Sequence, residues 1–369
     1  MSAPEFCLAD SLTDQLTRFD DAFAILDQAV AGHAFPAASV AVTQGGRLVA
    51  LQGFGRFTYE VDSPVVEPAT IFDLASLTKV VATTAMAMVL YERGLIDLDA
   101  PVAGIIPEFI AEDSRRGEVT LRMLLAHSSG LSAHEKFFLK ARDRESVLRM
   151  AFNTPLAAEP GSTAVYSDIG FIILGVALER LADEPLERFC QREIFDPLGM
   201  TSTTFKPPKE LKARIPPTED DRHFRHRVIQ GEVQDENASV LGGVAGHAGV
   251  FSTAGDLAKF AHAMLSGGSP ILRRDTVALF TRRQLEPAGT SRALGWDTPS
   301  SPSQSGKYFG PHSFGHLGYT GTSIWIDPER QVSIILLTNR TWPDGSDQRI
   351  KVVRPQFHDA MIESLEESR

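Results

Sequence analysis

Cysteine is nearly absent: Cys7 and Cys190 are the only two among 369 residues. Two distant thiols build neither a disulfide framework nor a metal-spaced cluster, so they read as bystanders suited to a reducing compartment. Positive charge is also short. Against 47 Asp and Glu there are 36 Lys and Arg, a net charge of -11, which excludes the basic surface of a general nucleic-acid binder. No apolar run approaches the roughly 20 residues needed to cross a bilayer, so no membrane partner is expected. The opening "MSAPEFCLADSLTDQLTRFDDAF" has no basic segment leading into an apolar one, which predicts no secretory signal and a cytoplasmic location. Internal repeats, low-complexity tracts and the Gly-x-Ser-x-Gly nucleophile elbow are missing too. What remains is an ordinary globular composition, 43% hydrophobic and 22% charged, long enough for one large domain or two smaller ones.

Leu12, Leu16, Phe19, Phe23, Leu26 and Val30 recur at gaps of four and three, which predicts one amphipathic helix. Ser11 with Asp14 resembles a capping box, and Gly32 is its stop. Two β-rich runs then flank Gly45-Gly46 as a hairpin. The middle of the chain is mainly helical. "TKVVATTAMAMVLYERG", "TLRMLLAHSSG", "YSDIGFIILGVALERLAD" and "TAGDLAKFAHAMLSGG" are its helices, the third apolar on nearly all sides and therefore buried. "KPPKELKARIPPTEDDRHFRHR" reads as a long surface excursion. Strands return in "TSIWIDPERQVSIILLTNR", around a turn at 327–330, and a last helix is predicted over Gln356 to Glu367. The economical architecture is α/β of the α+β type. Residues 1–75 and 290–369 pair into one helix-flanked antiparallel sheet, 76–289 form an inserted helical domain, and a cleft lies at the junction.

Into that junction falls "FDLASLTKVVAT", with Ser76 and Lys79 one helical turn apart amid apolar residues. A lysine in apolar surroundings tends to lose its proton, and a neutral amine beside a hydroxyl is a base beside a nucleophile. Alone the pair equally describes a helix-start serine and a snorkelling lysine. Tyr166 in "VYSDIGF" is a phenol among apolar residues that needs a polar partner. His316, Gly318 and Gly321 in "FGHLGYTGTSIWID" precede a strand, where glycine lets backbone approach a ligand. Each of these also has a plain structural reading, as a core tyrosine and a glycine-rich turn. His312 and His316 have a helical metal spacing, but Pro311, Gly315 and Gly318 speak against a helix, so no metal is assigned. His223 and His226 read as solvated, His247 as packing in a small-residue loop, and His127 as a helix-end residue.

In order, Ser76-x-x-Lys79, Tyr166-Ser167-Asp168 and His316-Leu317-Gly318 resemble the active-site set of the serine β-lactamase and penicillin-binding protein superfamily. The chain is most similar to the class C β-lactamase-like branch, which also holds family VIII carboxylesterases, D,D-peptidases and D-aminopeptidases. "LLAHSSGL", "GGVAGHAGVFSTAGDLAKF" and "GYTGTSIWIDPE" extend the likeness over most of the chain. The resemblance implies a β-lactamase/transpeptidase-like fold and acylation of Ser76, with Lys79 and Tyr166 sharing proton transfer. It implies an oxyanion hole from the N–H groups of Ser76 and Tyr319, with Asp168, His316 and Gly318 at the substrate, and no cofactor.

Two positions depart from the family pattern. Asp168 stands where Asn is usual, and an ionised carboxylate only accepts hydrogen bonds, which weakens the expectation of a lactam or peptide in the usual pose and leaves two readings, a cationic or N–H group on the substrate or a carboxylate that anchors nearby structure. His316 stands where many β-lactamases carry Lys, making a positive charge there conditional on pH. "QDENASVLGGVAGHAG" resembles a narrower branch with a low-activity penicillin-binding protein and an N-acetylmuramoyl-L-alanine amidase. The functional expectation is a serine hydrolase of small carboxylic esters with weak or no β-lactam turnover. The alternatives are an amidase or peptidase of muropeptides or D-amino-acid peptides, and a non-catalytic binding or scaffold module. The excursion from Lys206 to Glu236 and the loop from Thr298 to His312 are expected to border the cleft.

Overall fold

A computed structural model describes residues 8–110 and 113–367, so Cys7 lies outside the described residues. The chain ends do meet in one sheet. Strands β1 (Ala37–Gln44) and β2 (Arg47–Gly55) form the hairpin at Gly45-Gly46. From the other end come β3 (Phe314–Leu317), β4 (Ser323–Asp327) and β5 (Val332–Thr338). The sheet runs β2-β1-β5-β4-β3, antiparallel throughout, with the short strand Ala9–Asp10 added in parallel beside β2.

Both faces of this sheet are covered, which explains the unbroken apolar run of β5. Val332, Ile334 and Leu336 pack toward Phe23, Leu26, Phe357 and Met361, while Ile335 and Leu337 join the core on the other side. Helices α1 (Asp20–Ala31) and α4 (Ile350–Glu367) cover the first face. Helix α3 (Ala254–Leu265), capped by Thr253, lies on the second, against β1, β4 and β5. The helix predicted from Leu12 onward is broken at Phe19. No side chain caps the short turn before it, and Leu16 is 64% exposed.

The last helix begins at Ile350, six residues before its predicted start, and contains Pro355. Proline forfeits the hydrogen bond to the fourth residue back. Here that residue is Lys351, whose carbonyl instead accepts from Gln304 Nε2 at 3.0 Å. The charged excursion is more ordered than its composition suggests, with a 3-10 turn at Lys209–Arg214 and a hairpin of Glu219–Asp221 with Arg227–Ile229.

In the helical middle of the chain lies α2 (Asp168–Ala182), buried from Ile169 to Leu178 and packed against other helices. It crosses so close to the glycine-rich loop that a Cβ at Gly246 would sit 2.1 Å from the Phe171 carbonyl oxygen. That contact explains why the loop carries glycine there. Cys190 is fully buried and burial pushes its thiol well above the usual range. Among the described residues no helix is long and apolar enough to cross a membrane.

Candidate active site

The approach to Ser76 is a strained turn. Phe72–Asp73 pairs with Val250–Ser252, and Ala75 then adopts φ +46°, unfavourable for a residue with a Cβ. The buried carboxylate of Asp73 holds the turn, accepting from Ala75 N at 2.8 Å and from Gln234 N at 2.6 Å. The chain continues as a 3-10 turn at Ala75–Leu77 and a π-helical turn at Lys79–Thr84. Such turns recur at functional sites.

Burial raises the Asp73 pKa from 3.8 to about 6, against the opposing pull of the two N–H groups. A raised carboxyl pKa means the native state holds the proton more tightly, so stability from this group falls as pH rises through 4 to 6. We expect wild type to gain about 2 kcal/mol relative to Asp73→Asn between pH 7 and pH 4. Urea unfolding of both proteins across that range measures it, and a pH-independent difference contradicts it.

Lys79 is wholly buried behind Ser76. Its Nζ donates to Ser76 Oγ at 2.9 Å, to Asp168 Oδ1 at 2.7 Å and to the His247 carbonyl at 3.2 Å. The neutral lysine expected from the sequence is corrected here. Burial alone would lower its pKa, but Asp168, then Tyr166, outweigh burial and raise it. Asp168 is in turn held well below the usual carboxylate range: burial acts upward, and Lys79, His134 and His247 overcome it. Its place as first residue of α2 adds the positive end of the helix dipole. The resting pair is therefore ammonium and carboxylate.

Tyr166 enters from the residue pair before α2. Ser167 caps that helix through Gly170 N at 3.0 Å and donates to Ser132 O at 2.7 Å. The Ser167 N–H is held by His127 Nδ1 at 3.0 Å, and the His127 ring lies 4.7 Å from the Tyr166 ring. The helix-end histidine thus fixes the tyrosine's backbone. Lys79 Nζ sits 4.7 Å over the same phenol ring. Burial raises the Tyr166 pKa, opposed by Lys79 and by hydrogen bonding with Lys79 and Ser76.

The opposite wall is the end of β3. Thr320 Oγ1 donates to Asp73 O at 2.9 Å and Thr322 Oγ1 to Leu74 O at 3.0 Å. These two hydroxyls clamp the β3–β4 turn onto the strand leading to Ser76. The Gly318 N–H is used on Thr322 O at 2.8 Å, whereas the N–H groups of Tyr319 and Ser76 take no part in the hydrogen bonds of the described turns and caps. His316 is buried on β3, and its Nδ1 lies 2.8 Å from the Leu317 carbonyl. Burial, with Lys79 and Arg292, lowers its pKa to about 3. The pH-dependent cation expected at this position is therefore a neutral ring at ordinary pH.

Ser76, Tyr166, Asp168, His316, Gly318 and Tyr319 line one cavity of about 710 Å³, and Lys79 lies beneath them. Glu219, Gln234, Asp235, Glu236 and Gln304 also line it, so both predicted border loops reach the cleft. The profile of the family described as Beta-lactamase matches residues 22–355. A putative D-alanyl-D-alanine carboxypeptidase of Escherichia coli (strain K12) is 34% identical over 330 residues, 80% of this chain and 73% of that protein. An N-acetylmuramyl-L-alanine amidase of Bacillus subtilis (strain 168) is 34% identical over 346 residues, 83% and 77% of the two chains. The chain belongs to the β-lactamase family. The crystal structure of a class C β-lactamase from Rhodobacter sphaeroides shares the fold, with a TM-score of 0.73, 23% identity and coverage of 94% and 99%. This family of serine hydrolases includes esterases, peptidases and amidases.

In this β-lactamase-family chain several site residues were invisible to motif reading. Asp73, Thr320 and Thr322 act on backbone atoms that no side-chain pattern reveals. Arg292 arrives from a loop without regular structure to lie 5.2 Å over the Tyr166 ring. His134 reaches Asp168 Oδ2 at 3.5 Å from another loop. His247 is packed yet makes two polar contacts. Its carbonyl accepts from Lys79, and its Nε2 meets Asp235 Oδ1 at 2.9 Å. Among the described residues no group of His, Cys, Asp and Glu is arranged to hold a metal ion.

Proposed function

We propose that the protein is a serine hydrolase that cuts amide bonds of small peptide-like substrates through an acyl-enzyme at Ser76. One observation carries the reading: the buried Lys79 Nζ lies 2.9 Å from Ser76 Oγ, at the floor of a cavity large enough for such a substrate. In this mechanism the substrate carbonyl oxygen lies between the N–H groups of Ser76 and Tyr319, and Ser76 Oγ attacks the carbon. Lys79 must lose its resting proton once substrate is bound before it can accept the one from Ser76. Tyr166 and Lys79 then deliver a proton to the leaving amine, and water releases the acid.

The amide preference is supported by the relatives named a carboxypeptidase and an amidase and by the many charged groups lining the cavity. Small esters, ranked first from sequence, are the second reading, because the same attack cleaves a better leaving group.

The test is a covalent adduct mapped by mass. Incubation with a fluorophosphonate, a p-nitrophenyl ester, a cephalosporin and a muropeptide is expected to load the tryptic peptide containing Ser76 with at least one acyl or phosphonyl increment. An unmodified Ser76 peptide in folded protein with every probe refutes the proposal and favours a non-catalytic module.

A further inference from the structure

The carboxylates that line the cavity are mostly engaged. Asp168 accepts from Lys79 at 2.7 Å, Glu219 from Gln234 Nε2 at 2.8 Å and Asp297 from Ser291 Oγ at 2.7 Å, and Asp235 meets His247 Nε2 at 2.9 Å. Glu236 is half-buried, and burial raises its pKa. The cations from the C-terminal part of the chain are not matched in this way. Arg340 follows β5, and Lys351 and Arg354 share a face of α4 by their spacing. All three line the cavity, and none forms an ion pair among the described residues.

Arg340 is buried, and its Nε and Nη1 donate to the carbonyls of Tyr319, Gly345 and Asp347 at 2.7, 3.0 and 3.0 Å, which leaves Nη2 without a described acceptor. Arg354 is 3% exposed. Its Nη1 and Nη2 donate to Gln304 Oε1 at 3.0 Å and Gly321 O at 3.1 Å, and its Nε is buried with no partner. The carboxylate that acts on Arg340, Asp347, is tied to Arg349 Nε at 2.8 Å. Burial, and then the like charge of Arg340, lowers the Arg354 pKa to about 9. A buried cation without a counter-charge is costly, and buried donors without acceptors call for them.

The two arginines hold the β3–β4 turn itself. Arg340 binds the carbonyl of Tyr319, the residue whose N–H meets the substrate oxygen in the proposed mechanism. One carboxylate would neutralise only one of the three charges. Two guanidinium groups anchored on separate carbonyls, with an ammonium beside them, accommodate two. A peptide carries two carboxylates on one residue only at an acidic C-terminus, which places them on the leaving side of the scissile bond.

We infer that the leaving part of the substrate carries two carboxylates, seated on Arg340, Lys351 and Arg354, as a peptide ending in a free glutamate or aspartate does. The activity is removal of an acidic C-terminal residue. The amide C–N bond breaks as Ser76 Oγ takes the acyl group. The amine of the acidic residue leaves with the proton passed by Tyr166 and Lys79, and water then frees the acyl group as an acid.

This inference rests on the acyl-enzyme reading, and the experiment separates the two. Acetyl-alanyl-glutamate, in all four stereoisomers, is compared with acetyl-alanyl-glutamine, which has the same shape and one carboxylate fewer. We expect kcat/KM for the best glutamate isomer to exceed that of its glutamine counterpart by about 10- to 100-fold, the value of a charge-assisted hydrogen bond. In Arg354→Gln the ratio should fall to within about threefold, and in Lys351→Gln it should narrow in part. A ratio is insensitive to any loss of turnover common to both substrates. Lys351 is exposed, so Lys351→Gln covers the case in which Arg354→Gln does not fold. Equal or faster release of glutamine by wild type overturns the inference. So does a preference unchanged in both variants, or labelling of Ser76 by fluorophosphonate with neither peptide cleaved. Failure to label Ser76 removes the acyl-enzyme reading and this inference with it.

Discussion

Lys79→Ala is expected to lower turnover of any cleaved substrate by about 10³-fold or more, within the range that positioned acid–base groups supply. It is also expected to destabilise the fold by about 3 kcal/mol, because the largely buried Asp168 carboxylate would lose the cation on its Oδ1 and keep only the more distant His134 at 3.5 Å. The two effects have different causes and can be separated. Burying an ion pair is not in itself stabilising, since desolvation of both charges opposes their attraction. Removing both charges in Lys79→Ala/Asp168→Asn should therefore restore most of the lost stability while leaving turnover at the level of the single variant. Urea unfolding and steady-state rates on the three proteins decide it. Turnover within tenfold of wild type in Lys79→Ala would show that this amine does not carry the Ser76 proton. A double variant no more stable than the single one would show that packing, not the orphaned carboxylate, sets the cost.

The second large effect is expected from one methyl group. A Cβ at Gly318 would lie 2.0 Å from Thr322 Oγ1 and 2.6 Å from the Leu74 carbonyl oxygen. Backbone cannot yield there, because Leu74 leads directly into the strained turn that presents Ser76. Gly318→Ala should push the β3–β4 turn away and carry the Tyr319 N–H with it. Loss of one oxyanion donor lowers kcat by about 10²–10³-fold, whereas overpacking by itself costs about 1–3 kcal/mol of stability. The diagnostic result is a large fall in kcat with KM little changed and the fluorophosphonate labelling rate falling in parallel. A destabilised variant that keeps kcat within tenfold would remove Tyr319 N–H from the oxyanion hole.

Several features were legible because they depend on neighbours in the chain. Ser76 and Lys79 share a helical face by spacing alone. The hairpins at Gly45-Gly46 and 327–330 follow from turn chemistry between β-rich runs. The burial of α2 follows from its apolar composition on all sides. The errors have equally local causes. The last helix runs on through Pro355 from Ile350, which no local pattern indicates, since the Gln304 amide that occupies the Lys351 carbonyl is 47 positions away. Leu16 fits the helical period but has nothing above it to pack against. The apolar face that the spacing predicts is interrupted by the break at Phe19.

The chain's own order of residues thus determined the sheet built from its two ends, the pairing of Ser76 with Lys79, and the three motifs that share the cleft. It could not determine which groups there are charged. A proton's free energy depends on every dipole and charge within a few ångströms, whatever their separation along the chain. Only the folded molecule sets Asp168, 89 positions away, 2.7 Å from Lys79, making the expected neutral amine an ammonium. Only the folded molecule encloses His316 and leaves it neutral, and hangs the β3–β4 turn on two threonine hydroxyls. Local sequence governs backbone conformation, but the electrostatics of this cleft arise from contacts made across the whole chain.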